Sequence, residues 1–490
     1  MISRLIGIGF ILLLYSCTAT RNYSPARKFS PAELREDLLL ARHILESKHP
    51  SLYWYTSKDS MDAYFSAAEA SIRDSLTEQL FAWHILAPVI DKIHCGHTTV
   101  GMSKGYAKWA RGKQLLAFPL FMKVWKDTMA VTGSLIKNDS LFKRGTLITA
   151  VNGIRNRQMI NTIFNYLPQD GYANNLNYIR MSGNFPYYHR NIFGISKEYT
   201  VDYIDSLGKS ARVKIKPFEP VRDTTEKIKK PKVKIKRPKP TKAQKLARYR
   251  SLEIDAQTQT GIMTVNSFTK GHMRSFFRRS FREMKDRNLQ NLIIDIRSNG
   301  GGRVGLSTLF TKYISETPFK VADSLYAKSR SLSPYSRYFK GKWINNIGMF
   351  FYSSKQADGF YHIRHLERKI YKPKKNRFRG NVYVLTNGPT FSAATLFANT
   401  VKGQPRVTLL GEETGGGWHG NNGIIIPDVT LPNTKTRIRV PLYRLVQYNH
   451  VPKTGTGIIP DIYVGTSYEA LLKGYDKKMQ VVREIIKNKK

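Results

Sequence analysis

The chain has 490 residues, 41% of them hydrophobic, with 27 Tyr and 24 Phe. That is ample apolar material for folded cores and too much chain for a single one, so two to four units are expected. Lys and Arg outnumber Asp and Glu by 80 to 35, a formal net charge of +45, which favours anionic partners and affects encounter rates without specifying a fold. Specific nucleic-acid binding finds no support: there is no zinc-ligand spacing, no phosphate-binding Gly-rich loop and no aromatic-basic RNA motif.

In chain order, Arg4 precedes an apolar stretch over residues 5–15, too short to cross a bilayer as a stable helix and of the length of a signal-peptide core. It ends in Leu14-Tyr15-Ser16-Cys17, which resembles the lipobox of bacterial lipoprotein signals. That resemblance implies cleavage before Cys17, lipidation of its thiol, and tethering in the cell envelope, facing the periplasm or the exterior. Cys95 is the other cysteine, so with Cys17 lipidated no internal disulfide can form. Residues 18–29 read as a polar, basic tether. At Ser30-Pro31-Ala32-Glu33 a helix should begin, with Ser30 as cap, Pro31 in the first helical position and Glu33 completing a capping box. Leu34, Leu38, Ala41 and Leu45 keep its period, and two more helices are expected near 60–75 and 77–89. Residues 30–105 thus read as a small helical unit.

That unit ends in Ile93-His94-Cys95-Gly96-His97-Thr98, where a helix should stop at Gly96 and an extended segment begin at Thr98. Two His and a Cys invite a zinc reading, but this spacing matches no usual site and no second ligand pair lies near, so no metal is expected. A His fixed at such a turn is either structural or a general base for a distant nucleophile.

From 106 to 220 the pattern changes to short β-like runs, at 120–124, 129–132, 146–151, 199–203 and 211–215. Within it, Gly145-Thr146-Leu147-Ile148-Thr149-Ala150-Val151-Asn152-Gly153 resembles the "G-D-x-I-x-x-V-N-G" segment of PDZ domains, with Thr146 in the place of the usual Asp. Such domains bind extended peptides by strand addition. Residues 221–250 read as a basic insertion. Its stretch 227–250 carries twelve Lys/Arg, no acid and three prolines, and is expected to be a disordered or extended surface segment able to meet anionic lipid.

The last unit is set at 251–475, followed by a basic tail at 476–490. Strands are expected at 261–265, 291–297 and 382–385, with a helix at 273–284; the alternation argues an α/β core. Ser298-Asn299-Gly300-Gly301-Gly302 follows a buried strand, and its glycines permit close backbone approach to a substrate. Asp295, at that strand's end, reads as a structural carboxylate. Asn387-Gly388-Pro389 breaks the strand at 382–385, and Ser392 then precedes the helical run Ala393 to Ala398. A hydroxyl at a strand-to-helix turn either caps the helix or stands exposed beside helix N–H groups that can stabilise an oxyanion.

The combination of Leu292 to Gly302 (LIIDIRSNGGG), Thr390-Phe391-Ser392-Ala393-Ala394, Leu410-Gly411-Glu412-Glu413-Thr414-Gly415-Gly416-Gly417 and Gly457-Ile458-Ile459-Pro460-Asp461 resembles the C-terminal processing (tail-specific) serine peptidases. The resemblance implies a crotonase-like core of ββα repeats behind a helical start and a PDZ-like domain. It also implies a polypeptide substrate and no cofactor. It makes Ser392 the nucleophile, with Gly301 and the N–H of Ala393 as oxyanion hole. Members using a Ser–Lys dyad place Lys where this chain has Gly417, so the tricorn-like branch is the better match. There a His near the end of the helical part activates the Ser, and His97 in Gly96-His97-Thr98 matches it. The orienting acid of that branch has no counterpart, since Thr454-Gly455 stands in its place, which leaves Glu413, Glu412 or a backbone carbonyl to hold the imidazole. A silent peptide-binding homologue is the alternative expectation.

Overall fold

The computed structural model describes residues 23–205, 207–220 and 239–489; Cys17, the signal segment, the first part of the tether and residues 221–238 of the basic insertion lie outside the described residues. The β-branched runs of the last unit become a six-stranded sheet in the order Arg250–Asp255, Thr260–Val265, Asn291–Asp295, Asn381–Thr386, Val407–Gly411, Ile462–Tyr463. The first pair is antiparallel and the others are parallel. Parallel strands need cover on both faces. Leu292, Ile294, Val382 and Val384 face a layer containing Phe277, Phe310 and Phe397. Ile293, Tyr383 and Leu385 face Val482 and Ile486. Those two belong to the helix Lys477–Asn488, so the segment read as a basic tail is a packed helix. It is anchored where Arg297 bridges Asp295 at 2.6 Å and Asp476 at 2.7 Å, the structural role read for Asp295.

Asp295 pairs with Leu385, so the Gly-rich loop and the Ser392 turn leave adjacent parallel strands at the same level. Functional loops of open α/β sheets collect at such carboxyl ends. A second sheet, in the order Ser354–Lys355, Tyr361–His362, Ala322–Ala327, Tyr443–Gln447, Gly420–Gly423, stands beside this end.

The N-terminal helices share a core with this unit. The helix Pro31–Lys48 starts at Ser30 with both capping-box bonds, and its Leu34, Leu38 and Leu45 pack in one cluster with Leu325, Val429, Leu442 and Tyr443. Buried Asp37 accepts from the N–H of Asn433 (3.0 Å) and from the N–H and hydroxyl of Thr434 (2.9 and 2.7 Å). A helical run made of Glu78–Leu80, π-helical Phe81–Leu86 and Ala87–Asp91 follows. It stops at Asp91, five residues before the expected Gly96, because the backbone folds into turns closed by His94 N–H to Asp91 O and Thr98 N–H to Cys95 O. The strand Thr99–Gly101 then pairs antiparallel with Arg437–Arg439, which fastens the histidine turn to the peptidase-like core.

Between them, the expected β-runs form a sheet in the order Leu120–Trp125, Thr128–Ser134, Leu147–Val151, Tyr199–Ile204, Ser210–Ile215. Asn152 and Gly153, at φ 49° and 77°, turn the chain between Val151 and Ile154, as a type I′ turn requires. Three helices, Asn156–Phe164, Asn175–Gly183 and Phe185–Phe193, were not expected. They are rich in Asn, Tyr and Phe, poor helix formers, and are held by Met159, Ile163, Met181, Phe185 and Ile192 in the sheet's core. The basic insertion also ends in structure: Thr241 caps the helix Lys242–Ala247 with a capping box to Gln244, and a strand begins at Arg250.

Phe310 stacks on Phe277 at 4.5 Å and on Phe397 at 4.6 Å, joining three helices over the central sheet. Phe310→Ala is expected to cost about 3–5 kcal/mol, read as a lower urea midpoint at unchanged slope.

Candidate active site

Ser392 heads the helix Ala393–Val401 with φ 56° and ψ −122°, and its side chain makes no capping bond. Left-handed backbone at a non-glycine residue costs on the order of 1–3 kcal/mol, so the surroundings must impose it. Phe391 N–H donates to Asn299 O (3.1 Å), Ala394 N–H to Phe391 O (3.0 Å), and Leu396 N–H to Ser392 O (3.1 Å). The Thr390 hydroxyl donates to Ile296 O (3.0 Å) and the Thr395 hydroxyl to Thr390 O (3.2 Å). The hydroxyl of Ser392 is turned off the helix end and lines a cleft of about 680 Å³.

The Gly-rich loop meets this turn directly. A Cβ built on Gly301 would lie 2.7 Å from Phe391 O, 2.8 Å from Ala393 N and 2.8 Å from Ser392 Cβ, so only glycine fits. The Gly301 N–H, however, donates to Asn299 Oδ1 at 2.9 Å, and the expectation that it serves the oxyanion hole is corrected on that ground. Its neighbour Gly302 lines the cleft with Ser392. Among the described residues, the N–H groups of Gly302 and Ala393 donate to no acceptor, leaving both open to a developing oxyanion.

The two histidines separate. His94, at φ 52°, spends its Nδ1 on Gly171 O at 2.9 Å and packs on Tyr172. Cys95 is buried beside the Asn422 amide, 3.1 Å away, and burial pushes its thiol up to about 11. Gly96 lets the Phe391 ring approach to 2.7 Å of a would-be Cβ. The His97 ring lies 4.6 Å from the Phe391 ring, tilted by 31°. Its Nδ1 is buried without a partner, and burial, with Arg439 and Arg180 nearby, pushes it down to about 3. His97 therefore touches the residue before Ser392, while no hydrogen bond among the described residues joins the two side chains.

Neither candidate acid reaches His97. Glu412 is 2.5 Å from Lys478 Nζ, and Glu413 accepts the Gly457 N–H at 2.6 Å; each is drawn off by a partner nearer than the imidazole. The carboxylate beside the histidine turn is Asp170, which accepts from Gly96 N–H at 2.8 Å and from Gly417 N–H at 3.3 Å. Only Gln169-Asp170-Gly171, an ordinary turn signal, marked it in the sequence. Gly417 leaves no room for a lysine: its Cβ would meet Gly420 O at 2.7 Å.

The cleft wall adds two features the sequence did not announce. Arg274, Arg303, Lys312 and Lys369 line it, with no acid among the lining residues. Asn421, also in the lining, is buried with its Nδ2 unpartnered among the described residues.

Residues 259–464 match the model of Peptidase family S41. No curated protein sequence matches the chain. Among solved structures it is similar to mature CPAF, with a TM-score of 0.63 at 14% identity over 94% of this chain and 98% of that chain. It is equally similar to mature CPAF complexed with lactacystin, with a TM-score of 0.62 at 14% identity over 94% and 99%. The shared property at that identity is the fold.

Burial raises Asp170 to about 6 from its ordinary 3.8, so the native state binds this proton more tightly than the unfolded chain does. Its contribution to stability therefore declines as pH rises from about 4 to about 6, by on the order of 3 kcal/mol. The melting temperature of the parent relative to Asp170→Asn is expected to be highest near the lower limit and to fall through this window. A difference independent of pH counts against a raised Asp170.

Proposed function

We propose that the chain, whose residues 259–464 match the model of Peptidase family S41, is a serine peptidase acting on polypeptides, with Ser392 as its nucleophile and His97 as its general base. One observation supports this reading: the Ser392 hydroxyl, held off the helix end by left-handed backbone, shares a cleft with Gly302, whose N–H, like that of Ala393, donates to no acceptor among the described residues. In the proposed cycle Ser392 Oγ attacks the scissile carbonyl and its proton passes to His97. The N–H groups of Gly302 and Ala393 hold the oxyanion. The C–N bond breaks as the imidazolium returns the proton to the leaving amine, leaving an acyl-enzyme. A water deprotonated by His97 then releases the acid. Catalytic hydrogen bonds commonly tighten only with substrate bound. Here the Phe391 ring, packed on His97, is the group whose shift would close the gap.

On the same reading, residues 106–220 are a PDZ-like module delivering extended peptide, the core is crotonase-like, and acylated Cys17 tethers the enzyme in the cell envelope. The one observation favouring a peptide-holding member without turnover is the absent His97–Ser392 hydrogen bond.

A fluorophosphonate probe decides between them. Labelling of the parent, absent in Ser392→Ala and slowed about 10²–10⁴-fold in His97→Ala, is expected; an unlabelled parent favours the holding role. The cations lining the cleft generate a second expectation. Peptides carrying Asp or Glu should show lower KM than their amide counterparts, the advantage shrinking as ionic strength rises.

A further inference from the structure

The helix Lys342–Tyr352 is built inside out. Its sequence KWINNIGMFFY sets apolar residues at helical period, yet those are the ones facing solvent: Trp343, Ile344, Ile347, Phe350 and Phe351 are 74, 79, 58, 52 and 76% exposed. The asparagines are only part-exposed and bond to nearby backbone. Asn346 Oδ1 accepts the Leu332 N–H at 2.9 Å and Asn345 Nδ2 donates to Lys340 O at 3.1 Å, while Met349 alone among the helix's residues is buried. A helix serving the core would present the opposite face, and an exposed apolar patch of this extent marks an interaction surface.

The surrounding charge selects the occupant. Residues 328–379 contain fourteen Lys/Arg and two acids, Asp358 and Glu367, and both acids are engaged by His362, at 2.8 and 2.7 Å. Arg330 lies over the Phe350 ring at 4.7 Å and Lys342 near the Trp343 ring at 5.9 Å, so cationic heads border the apolar face. A second copy of the chain would bring the same positive charge against it. An anionic bilayer offers both complements, phosphate at the level of the basic heads and hydrocarbon beneath, with aromatic rings suited to the boundary. We infer that the helix Lys342–Tyr352 docks the protein on an anionic lipid surface. Its Gly348 rests on Ile425, 3.9 Å from a Cβ built there, between Ile424 and Ile426 of the Ser392 cleft. Docking therefore sets the cleft mouth beside the membrane. The inference stands on surface geometry and charge and does not depend on peptidase chemistry.

The test uses the full chain with vesicles of acyl-brominated phosphatidylcholine containing a minority of phosphatidylglycerol. Bromine quenches only indoles that enter the acyl region. The fluorescence lost by the parent and not by Trp343→Phe isolates this helix, whatever anchors the N-terminus. Trp343 is expected to be quenched in anionic vesicles and not in pure phosphatidylcholine. Adding Ile347→Glu and Phe351→Glu should weaken vesicle association by about tenfold or more per side chain, with thermal unfolding unchanged because these residues are exposed. Unquenched Trp343 overturns the inference. So does a sedimenting dimer with Trp343 shielded from acrylamide, or equal quenching in uncharged vesicles.

Discussion

One buried side chain holds the site's backbone in shape. The amide of Asn299 accepts the Gly301 N–H at 2.9 Å and donates to Val265 O at 2.9 Å. Its main chain donates to Ile296 O at 3.0 Å and accepts from Phe391 N–H at 3.1 Å. These bonds tie the ends of three adjacent parallel strands together. An unpaired buried amide would cost about 1–3 kcal/mol for each group left without a partner, so the loop has little freedom to relax. The same saturation explains why Gly301 is a packing residue. Its N–H is consumed in the clasp, and Gly302, next along the loop, lines the cleft.

Much of this was legible. The β-branched runs at 261–265, 291–297 and 382–385 read as strands, and the resemblance to the tail-specific peptidases implied that the loops after the last two would meet. The Ser392 turn was legible as a junction but not as a strained one, because the same letters spell a helix cap. Only the backbone, at φ 56°, separates the two. What the sequence hid was long-range. Asp170 looks like any Asp-Gly turn, and its importance comes from two N–H groups, Gly96 and Gly417, 74 and 247 residues away. The three helices within residues 106–220 were hidden for a different reason: poor intrinsic propensity is overridden there by burial of Met159, Met181 and Phe185.

The histidine turn reaches the core by β-pairing and not through a flexible hinge. Thr99–Gly101 lies on Arg437–Arg439, the buried side chains of the first helix share a cluster with Val429 and Tyr443, and Asp170 ties Gly96 to Gly417. With the turn so fixed, the adjustable piece between His97 and Ser392 is the Phe391 ring, which packs on both the imidazole and Gly96.

The charge imbalance of the chain bears on that imidazole. With 80 Lys/Arg and 35 Asp/Glu, many cations find no carboxylate, and several are solvated by main-chain carbonyls instead. Lys48 donates to Ser331 O and Ser333 O, Lys328 to Glu46 O, and Arg35 to Ile72 O. A carbonyl satisfies the donor without cancelling its charge. Arg439 and Arg180 add to the burial that lowers His97, and no acid faces its Nδ1 to offset them. The result is an imidazole kept neutral, the form that accepts a proton. In the roles proposed above for Ser392 and His97, an imidazolium is stabilised only when a negative charge forms in the same step, and the oxyanion proposed at Gly302 and Ala393 is that charge. On that proposal, proton transfer and oxyanion formation are coupled electrostatically, which is how a base without a carboxylate partner would serve the reaction.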